Sequence, residues 1–492
     1  MTVSASEKRA AVIGALLAIS LSALDQTIVA TALPAMAREL GDVSLLSWVL
    51  SAYLLTSTCA MPIAGKLSDV YGRRRSLIAA LLIFVGASVF CALATSMPAL
   101  ILARAIQGLG GGSLMVLSQA VIADVVSPRE RGHYSAHFSV VYASASILGP
   151  TLGGVVSQYW GWAWIFWINL PLGAVALVIV DRALRHLTAS GRTRRVDYAG
   201  ILSLSVATVA LMFVLSWGGK KWPWASAEIL TLAIAAVILF AIFARVQLRA
   251  AEPILPPRFL ADRLVLRPLL SSTFVIFGTY LAITVIVPVY FQVALGTSPS
   301  LAGILTIPLL VVGSASATCA GWHSKASGRY KMPTLLGMPV AIAALAALAY
   351  VADSTTPMIA AILLAVVGLG LGPTFPAQSV ATLNAVALAD VGAVSGALSF
   401  TRSLGAAIAI AAYSALVLGL ASSALPGLGA GGLEDLVRQA LPPATRAAVA
   451  AAFGTTFAVM AAAFAVGLLV FMRTEDRVLR HGTDSAPADE KV

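Results

Sequence analysis

Charge is what this chain has least of. Asp, Glu, Lys and Arg make up 11% of its 492 residues, whereas soluble globular proteins carry about 25%, and that deficit excludes an ordinary water-soluble domain. Cysteine is scarce too. Cys59, Cys91 and Cys319 all fall in apolar stretches without metal-ligand spacing, which excludes a disulfide framework or a zinc site and leaves packing as their role. A Walker-type phosphate loop, paired zinc ligands and a nucleophile elbow are all missing, so the sequence offers no catalytic residues, no metal site and no cofactor, and ATP hydrolysis on this chain is not expected. The net charge of +11 invites a nucleic-acid reading. The basic residues lie in short loops between apolar runs, however, which is the positive-inside pattern of a membrane protein, and no nucleic-acid partner is expected.

Apolar residues are abundant, at 59%. Runs of roughly 20 residues, enough to cross a bilayer, recur along the whole length, and a backbone in lipid must satisfy its own hydrogen bonds, so each run is expected to be a helix. Fourteen spans are predicted, at 11–37, 44–65, 76–96, 98–124, 135–158, 162–181, 198–217, 226–246, 269–293, 299–321, 333–352, 357–384, 392–419 and 446–472. The first follows Lys8 and Arg9, is too long for a signal peptide and lacks a small-residue cleavage pattern, so it is expected to remain. With an even count both termini share one side. Placing them in the cytoplasm puts 25 of the 32 basic residues in inner loops and tails and 5 outside, with Arg104 and Arg402 inside helices, a bias that sets the orientation.

The chain contains itself twice. Gly65–Leu77, GKLSDVYGRRRSL, has a fainter copy at Gly321–Lys331, GWHSKASGRYK, pairing Gly65 with Gly321, Ser68 with Ser324, Gly72 with Gly328, Arg73 with Arg329 and Arg75 with Lys331. Gly-Leu-Gly-Gly-Gly at 108–112 likewise matches Gly-Leu-Gly-Leu-Gly at 368–372, and Gly132 matches Gly392. The offset of 256 to 260 residues exceeds six helices by about 75 residues, which at 1.5 Å rise per residue is two further helices plus loops. The predicted organisation is therefore an all-α membrane protein with a six-helix bundle (1–197), two inserted helices (198–246), a cytoplasmic connector (247–268), a second six-helix bundle (269–472) and a cytoplasmic tail (473–492). The outer loop 420–445 reads as an irregular cap. Paired helical halves are the architecture of many secondary transporters, which rock around a midplane site.

Ionisable residues inside a bilayer are costly and are functional candidates by default. Of 21 acidic residues only Asp25 falls in the middle of a span. Desolvation there favours the neutral acid, so this group suits a proton carrier that loads in one conformation and unloads in another; a structural carboxylate tied to a neighbouring helix is the bland reading. Arg104 opens Arg-Ala-Ile-Gln107-Gly108. It stays charged, and either modulates a nearby carboxylate or ties helix ends. Gly149-Pro150-Thr-Leu-Gly153-Gly154 combines a helix-kinking proline with close-packing glycines, a hinge or a packing seam. Arg402 has no acid in its own span and needs a partner elsewhere, a carbonyl, or an anionic substrate or lipid group. Gln26 and Gln107 are candidate polar contacts for a substrate. The tryptophans of 159–167 read as an interfacial belt, and His323 as a solvated residue at the inner edge.

Leu24-Asp25-Gln26-Thr27 through Pro34, Gly65–Arg75, Arg104–Gly112, Gly149–Gly154, Gly296–Gly303 and Leu383–Val386 together resemble the motifs of the major facilitator superfamily, specifically its fourteen-helix drug:proton antiporters. The resemblance covers nearly the whole chain. It implies a proton-coupled antiporter that exports lipophilic drugs by alternating access from a bacterial cytoplasmic membrane, with a dedicated exporter of one metabolite as the alternative. Asp25 and Arg104 would then serve proton coupling; Gly65, Asp69, Gly72 and Arg73 the cytoplasmic gate; and Gly149, Pro150, Gly153 and Gly154 the antiporter motif. Val70 stands where the loop motif carries a basic residue, and Phe138 and Ala145 where the antiporter motif has upstream glycines, so only the Gly-Pro core is carried over. The implied partners are a small lipophilic substrate, protons and membrane lipids. A monomer is expected; some members of this family hand cargo to a periplasmic adaptor, for which no docking element is legible.

Overall fold

The structure is a computed structural model, and it describes residues 5–42, 45–185, 196–219, 221–422, 433–438 and 442–476. Its first bundle comprises α1 (Ala5–Leu40), α2 (Leu46–Tyr71), α3 (Arg73–Ala92), α4 (Met97–Val125), α5 (Pro128–Tyr159), a short α6 (Trp164–Trp167) and α7 (Asn169–Ala183). The inserted pair is α8 (Tyr198–Trp217) and α9 (Ala227–Arg249), followed by a single turn, α10 (Arg258–Ala261). The second bundle is α11 (Leu266–Val293), α12 (Pro299–Ser327), α13 (Lys331–Val351), α14 (Pro357–Leu371), α15 (Thr374–Asn384), α16 (Val391–Ser422), the short α17 (Leu433–Arg438) and α18 (Pro443–Met472). Among the described residues fourteen helical segments are long and apolar enough to cross a membrane.

Hydroxyl and carboxylate caps start the helices where the sequence places them. Ser96, Ser298 and Thr356 accept from the backbone N–H three residues on, with Pro98, Pro299 and Pro357 in the first turn; Asp197 and Ser226 cap the inserted helices in the same way. Two spans differ from expectation. The sixth breaks at Ile168 into α6 and α7, and the twelfth at Gly372-Pro373 into α14 and α15, where proline removes a backbone donor. The cap expected at 420–445 is not wholly irregular, since Leu433–Arg438 forms a helical turn; 423–432 and 439–441 lie outside the described residues, as do 186–195 and the tail from 477. Cys59 and Cys91 are buried as expected, but Cys319 is on the surface.

Each bundle has its own apolar core. One gathers Ala18, Leu77, Phe84, Leu114, Leu117 and Val121 around α1, α3, α4 and α7; the other gathers Ile286, Tyr290, Leu345, Phe453 and Phe457 around α11, α13 and α18. The bundles meet along two seams, α2 with α16 and α5 with α12. Glycine makes both seams. A Cβ at Gly65 would lie 2.2 Å from the Gly392 carbonyl oxygen, and one at Gly321 would lie 2.6 Å from that of Gly132. Gly65 and Gly321 are repeat mates, and so are Gly132 and Gly392, so the molecule makes one backbone-on-backbone contact twice, as a pseudo-twofold requires. The inserted helix α8 lies against α2 and reaches α16: Trp48 packs its ring 5.4 Å from Phe213, and Leu204 shares a small core with Phe243 and Phe400.

Gly65→Val should pry open the α2–α16 seam, because its side chain meets backbone rather than a movable side chain. Ala393, 1% exposed, reports on this as Ala393→Cys in a Cys319→Ser background. Maleimide labelling is expected to rise several-fold when Gly65→Val is added; an unchanged rate removes glycine contact as what closes this end.

Candidate functional site

Asp25 sits on α1 with no exposed surface. Its Oδ2 accepts from Arg104 Nη1 at 2.5 Å, and its Oδ1 accepts from Gln107 Nε2 at 3.0 Å and from Asn169 Nδ2 at 3.2 Å. Arg104 is equally buried. Its Nη1 also reaches Gln107 Oε1 at 2.6 Å, its Nε reaches the Val49 carbonyl at 3.3 Å, and its guanidinium lies 4.2 Å from the centre of the Tyr53 ring. Ser88 Oγ accepts from both Gln107 and Asn169. Two formal charges therefore cancel inside a network fed by α1, α3, α4 and α7; neutral dipoles complete the shell of the carboxylate, while Arg104 Nη2 is buried without a hydrogen-bond partner.

Glycines on α4 make this approach possible. A Cβ at Gly108 would lie 2.4 Å from the Tyr53 carbonyl, one at Gly112 2.2 Å from that of Ser57, and one at Gly111 2.1 Å from the Tyr53 hydroxyl. The motif that begins at Arg104 thus seats α4 directly on α2 and brings the Tyr53 ring over the guanidinium.

The sequence left open whether Arg104 faces Asp25; it does. Gln107 changes role. Here it is a buried partner of Asp25, Arg104, Ser88 and the Cys91 thiol. Gln26, one residue from Asp25 but turned about 100° around the helix, lies against the Tyr53 hydroxyl instead. Sequence reasoning missed Asn169, Ser88 and Tyr53. Asn169 carried a signal as the one amide of the sixth span, whereas Ser88 and Tyr53 lie in spans with several other hydroxyl residues.

At the end of the bundle that carries the basic turn, Asp69 crosses the seam. Its Oδ1 accepts from the Gly392 N–H at 3.0 Å and its Oδ2 from the Ala393 N–H at 2.8 Å, at the first turn of α16, where unpaired amides and the helix dipole favour an anion. Arg73 does not cross. It holds Asp69 at 2.6 Å and Asp124 of α4 at 2.7 Å and also donates to Ser68 Oγ, so its part is to orient the carboxylate. Gly72 has φ 89°, a left-handed turn that lets α3 fold back from α2; its mate Gly328 has φ 73°. In the repeat, Lys325 stands where Asp69 stands, so the carboxylate bridge is made at one seam only.

Gly149 and Gly153 pack on α1, where a Cβ would lie 2.0 Å from Thr27 Oγ1 and 2.4 Å from the Ile28 carbonyl, respectively. Gly154 faces open space, and α5 runs unbroken through Pro150. The packing half of that motif is therefore Gly149 and Gly153. On the second bundle Arg402 Nη2 donates to Ser379 Oγ at 2.9 Å and the Phe375 carbonyl at 3.4 Å. His323 is exposed, as expected.

Comparison with known proteins follows this geometry. Residues 15–410 match the sequence profile described as Major Facilitator Superfamily. The chain is 34% identical over 412 residues to the multidrug transporter protein MdtP of Bacillus subtilis, covering 84% of this chain and 76% of that one. It is 33% identical over 404 residues to multidrug resistance protein 3 of the same organism, covering 82% and 78%. The solved structure of the proton:xylose symporter XylE superposes with a TM-score of 0.64 at 15% identity, covering 96% of this chain and 98% of that one, a likeness of fold alone.

Breaking the central pair from one side leaves a buried charge alone, a loss of about 3–5 kcal/mol for Arg104→Gln. Adding Asp25→Asn should restore much of it. Unfolding of the purified single and double variants checks this, and additive losses would show that the two side chains act independently.

Proposed function

The chain belongs to the Major Facilitator Superfamily, and we propose that it is a proton-coupled antiporter exporting lipophilic compounds by alternating access. The observation that carries this reading is Asp25, sealed against Arg104 inside the first bundle. A carboxylate enclosed in this way can trade its guanidinium for a proton only when the surrounding helices part, which links protonation to conformation. Asp25 is the proton carrier and Arg104 the charge that expels the proton when the pair re-forms; Gln107 and Asn169 position the carboxylate. Gly65, Asp69, Gly72 and Arg73 form the gate, with Asp69 on the N-terminus of α16 as its bolt. The names of the relatives support drug efflux as the task.

The basic turns face the cytoplasm in this reading, so both termini are cytoplasmic, in the cytoplasmic membrane of a bacterium, and the working unit is a monomer. One observation favours a second reading, a dedicated exporter of one metabolite: the interior offers a cargo one specific charge, Arg402, whose partners are neutral. Susceptibility profiling across many compounds separates the two, since a specialist protects against a single one.

The test is efflux of a panel of lipophilic dyes from vesicles under a pH gradient. Asp25→Asn is expected to reduce gradient-driven efflux to that of vesicles lacking the protein, while dye exchange without a gradient persists. Undiminished gradient-driven efflux removes Asp25 as the proton carrier.

A further inference from the structure

Among the described residues Arg402 is the one charged side chain of the membrane interior that the mechanism above leaves unused. Among the described residues no carboxylate forms an ion pair with it, and Asp25 is already committed to Arg104. Both of its hydrogen bonds come from Nη2 and go to neutral oxygens; Nε is buried with no partner. Guanidinium carries five N–H donors, so most of its binding capacity is open. A cation in so apolar a setting, held by a hydroxyl and a carbonyl, is compensated in charge by nothing around it.

Its place in the fold is central. At the offset of 260 residues that relates Gly132 to Gly392, the mate of Arg402 is Tyr142 on α5. The two side chains are close enough to interact electrostatically. Repeat mates this near to each other lie beside the pseudo-twofold axis, between the bundles. The Tyr142 hydroxyl is also buried without a partner, as is Ser399 Oγ one turn before Arg402. Aromatic rings complete the surround. Phe277 lies 5.4 Å from the guanidinium, and Phe277, Tyr280 and Phe375 pack mutually with centroids 4.9 to 6.4 Å apart. On the other side of Ser379 is a small cavity between the bundles, lined also by Phe138, Gln119 and Arg131.

We propose that Arg402, with the Tyr142 hydroxyl opposite and the Phe277–Tyr280–Phe375 cluster beside it, binds the anionic group of an aromatic cargo, so that this protein selects lipophilic aromatic anions over lipophilic cations. The guanidinium and phenol meet a carboxylate, sulfonate or phenolate oxygen, a charge-assisted contact, and the rings take the flat apolar body. A cation meets an uncompensated like charge at the same place. The inference deepens the export reading by naming the class of cargo, and it rests on that reading for the direction of travel alone.

Fluorescein and rhodamine 6G share a xanthene core and differ in the sign of their charge. Binding of each to the purified full-length protein is measured by fluorescence anisotropy, at a pH where fluorescein is ionised, and gradient-driven transport of each is measured in vesicles. The wild type should bind fluorescein more tightly than rhodamine 6G. Arg402→Gln should shift that preference by about tenfold, the equivalent of 1.4 kcal/mol, and Arg402→Lys should retain part of it. Equal weakening of both dyes by Arg402→Gln, an unchanged ratio, or no binding of fluorescein overturns the assignment. Because the anion could also come from a lipid headgroup, the measurement is repeated in nanodiscs with and without phosphatidylglycerol, and full displacement of fluorescein by that lipid overturns an aromatic solute in favour of a headgroup. Charge-selective binding without gradient-driven transport upholds the site and sinks proton-coupled export; transport of both dyes with no dependence on Arg402 does the reverse.

Discussion

Two helix backbones touching where neither carries a side chain is the constraint from which the remaining architecture follows. At Gly65 and Gly392 α2 meets α16 too closely for a methyl group on either, and at Gly321 α12 meets the Gly132 backbone of α5 too closely for one on α12. Within lipid the hydrophobic effect does not drive helices together, so close van der Waals approach must do so. Such a contact is either made or lost, because a backbone cannot yield by a rotamer change. A pair of these contacts related by pseudo-symmetry gives the bundles a definite closed arrangement at one end of the molecule. Asp69, capping α16 from across the seam, adds a charge-dependent element to the first contact that Lys325 does not reproduce at the second.

Electrostatically the halves are unlike. In the first, a carboxylate and a guanidinium neutralise one another under a lattice of amide and hydroxyl groups. In the second, Leu364 occupies the position that Arg104 has in the first, and among the described residues the only interior charge is Arg402, bonded to Ser379 and a carbonyl. Duplication supplied the scaffold twice, whereas the ionisable groups differ between the copies. Such a division suits a machine in which one bundle handles the coupling ion and the other meets the cargo.

Much of this was legible beforehand, for a physical reason. A bilayer imposes helix length, so the fourteen spans can be read from residue order, and so can the repeat that pairs Gly65 with Gly321 and Gly132 with Gly392, though not that these pairs meet across the seams. Rotational setting is another matter. Whether Arg104 faces Asp25 depends on how α4 is turned against α2, which Gly108 and Gly112 decide through contacts with the Tyr53 and Ser57 carbonyls. Asn169 and Ser88 entered the network unannounced because one amide or hydroxyl in an apolar helix has no period to betray it. Gln107 looked available to a ligand for the same reason, most of its partners being on two other helices, α1 and α3. Gly154 and Pro150 show the converse, a motif whose members do not all do the work that the pattern suggests.

The inserted pair makes the protein's flanks unequal. Helix α8 lies along α2 and touches α16, with the Cys59 thiol 3.9 Å from the Ser205 carbonyl and Leu204 against Phe400, whereas among the described residues the α5–α12 flank has no such companion and leaves Trp322 exposed. In the proposed cycle the first flank must shear across a third helix while the second opens straight onto acyl chains. A greasy molecule arriving sideways from the membrane therefore finds a shuttered doorway on one face and a bare one on the other.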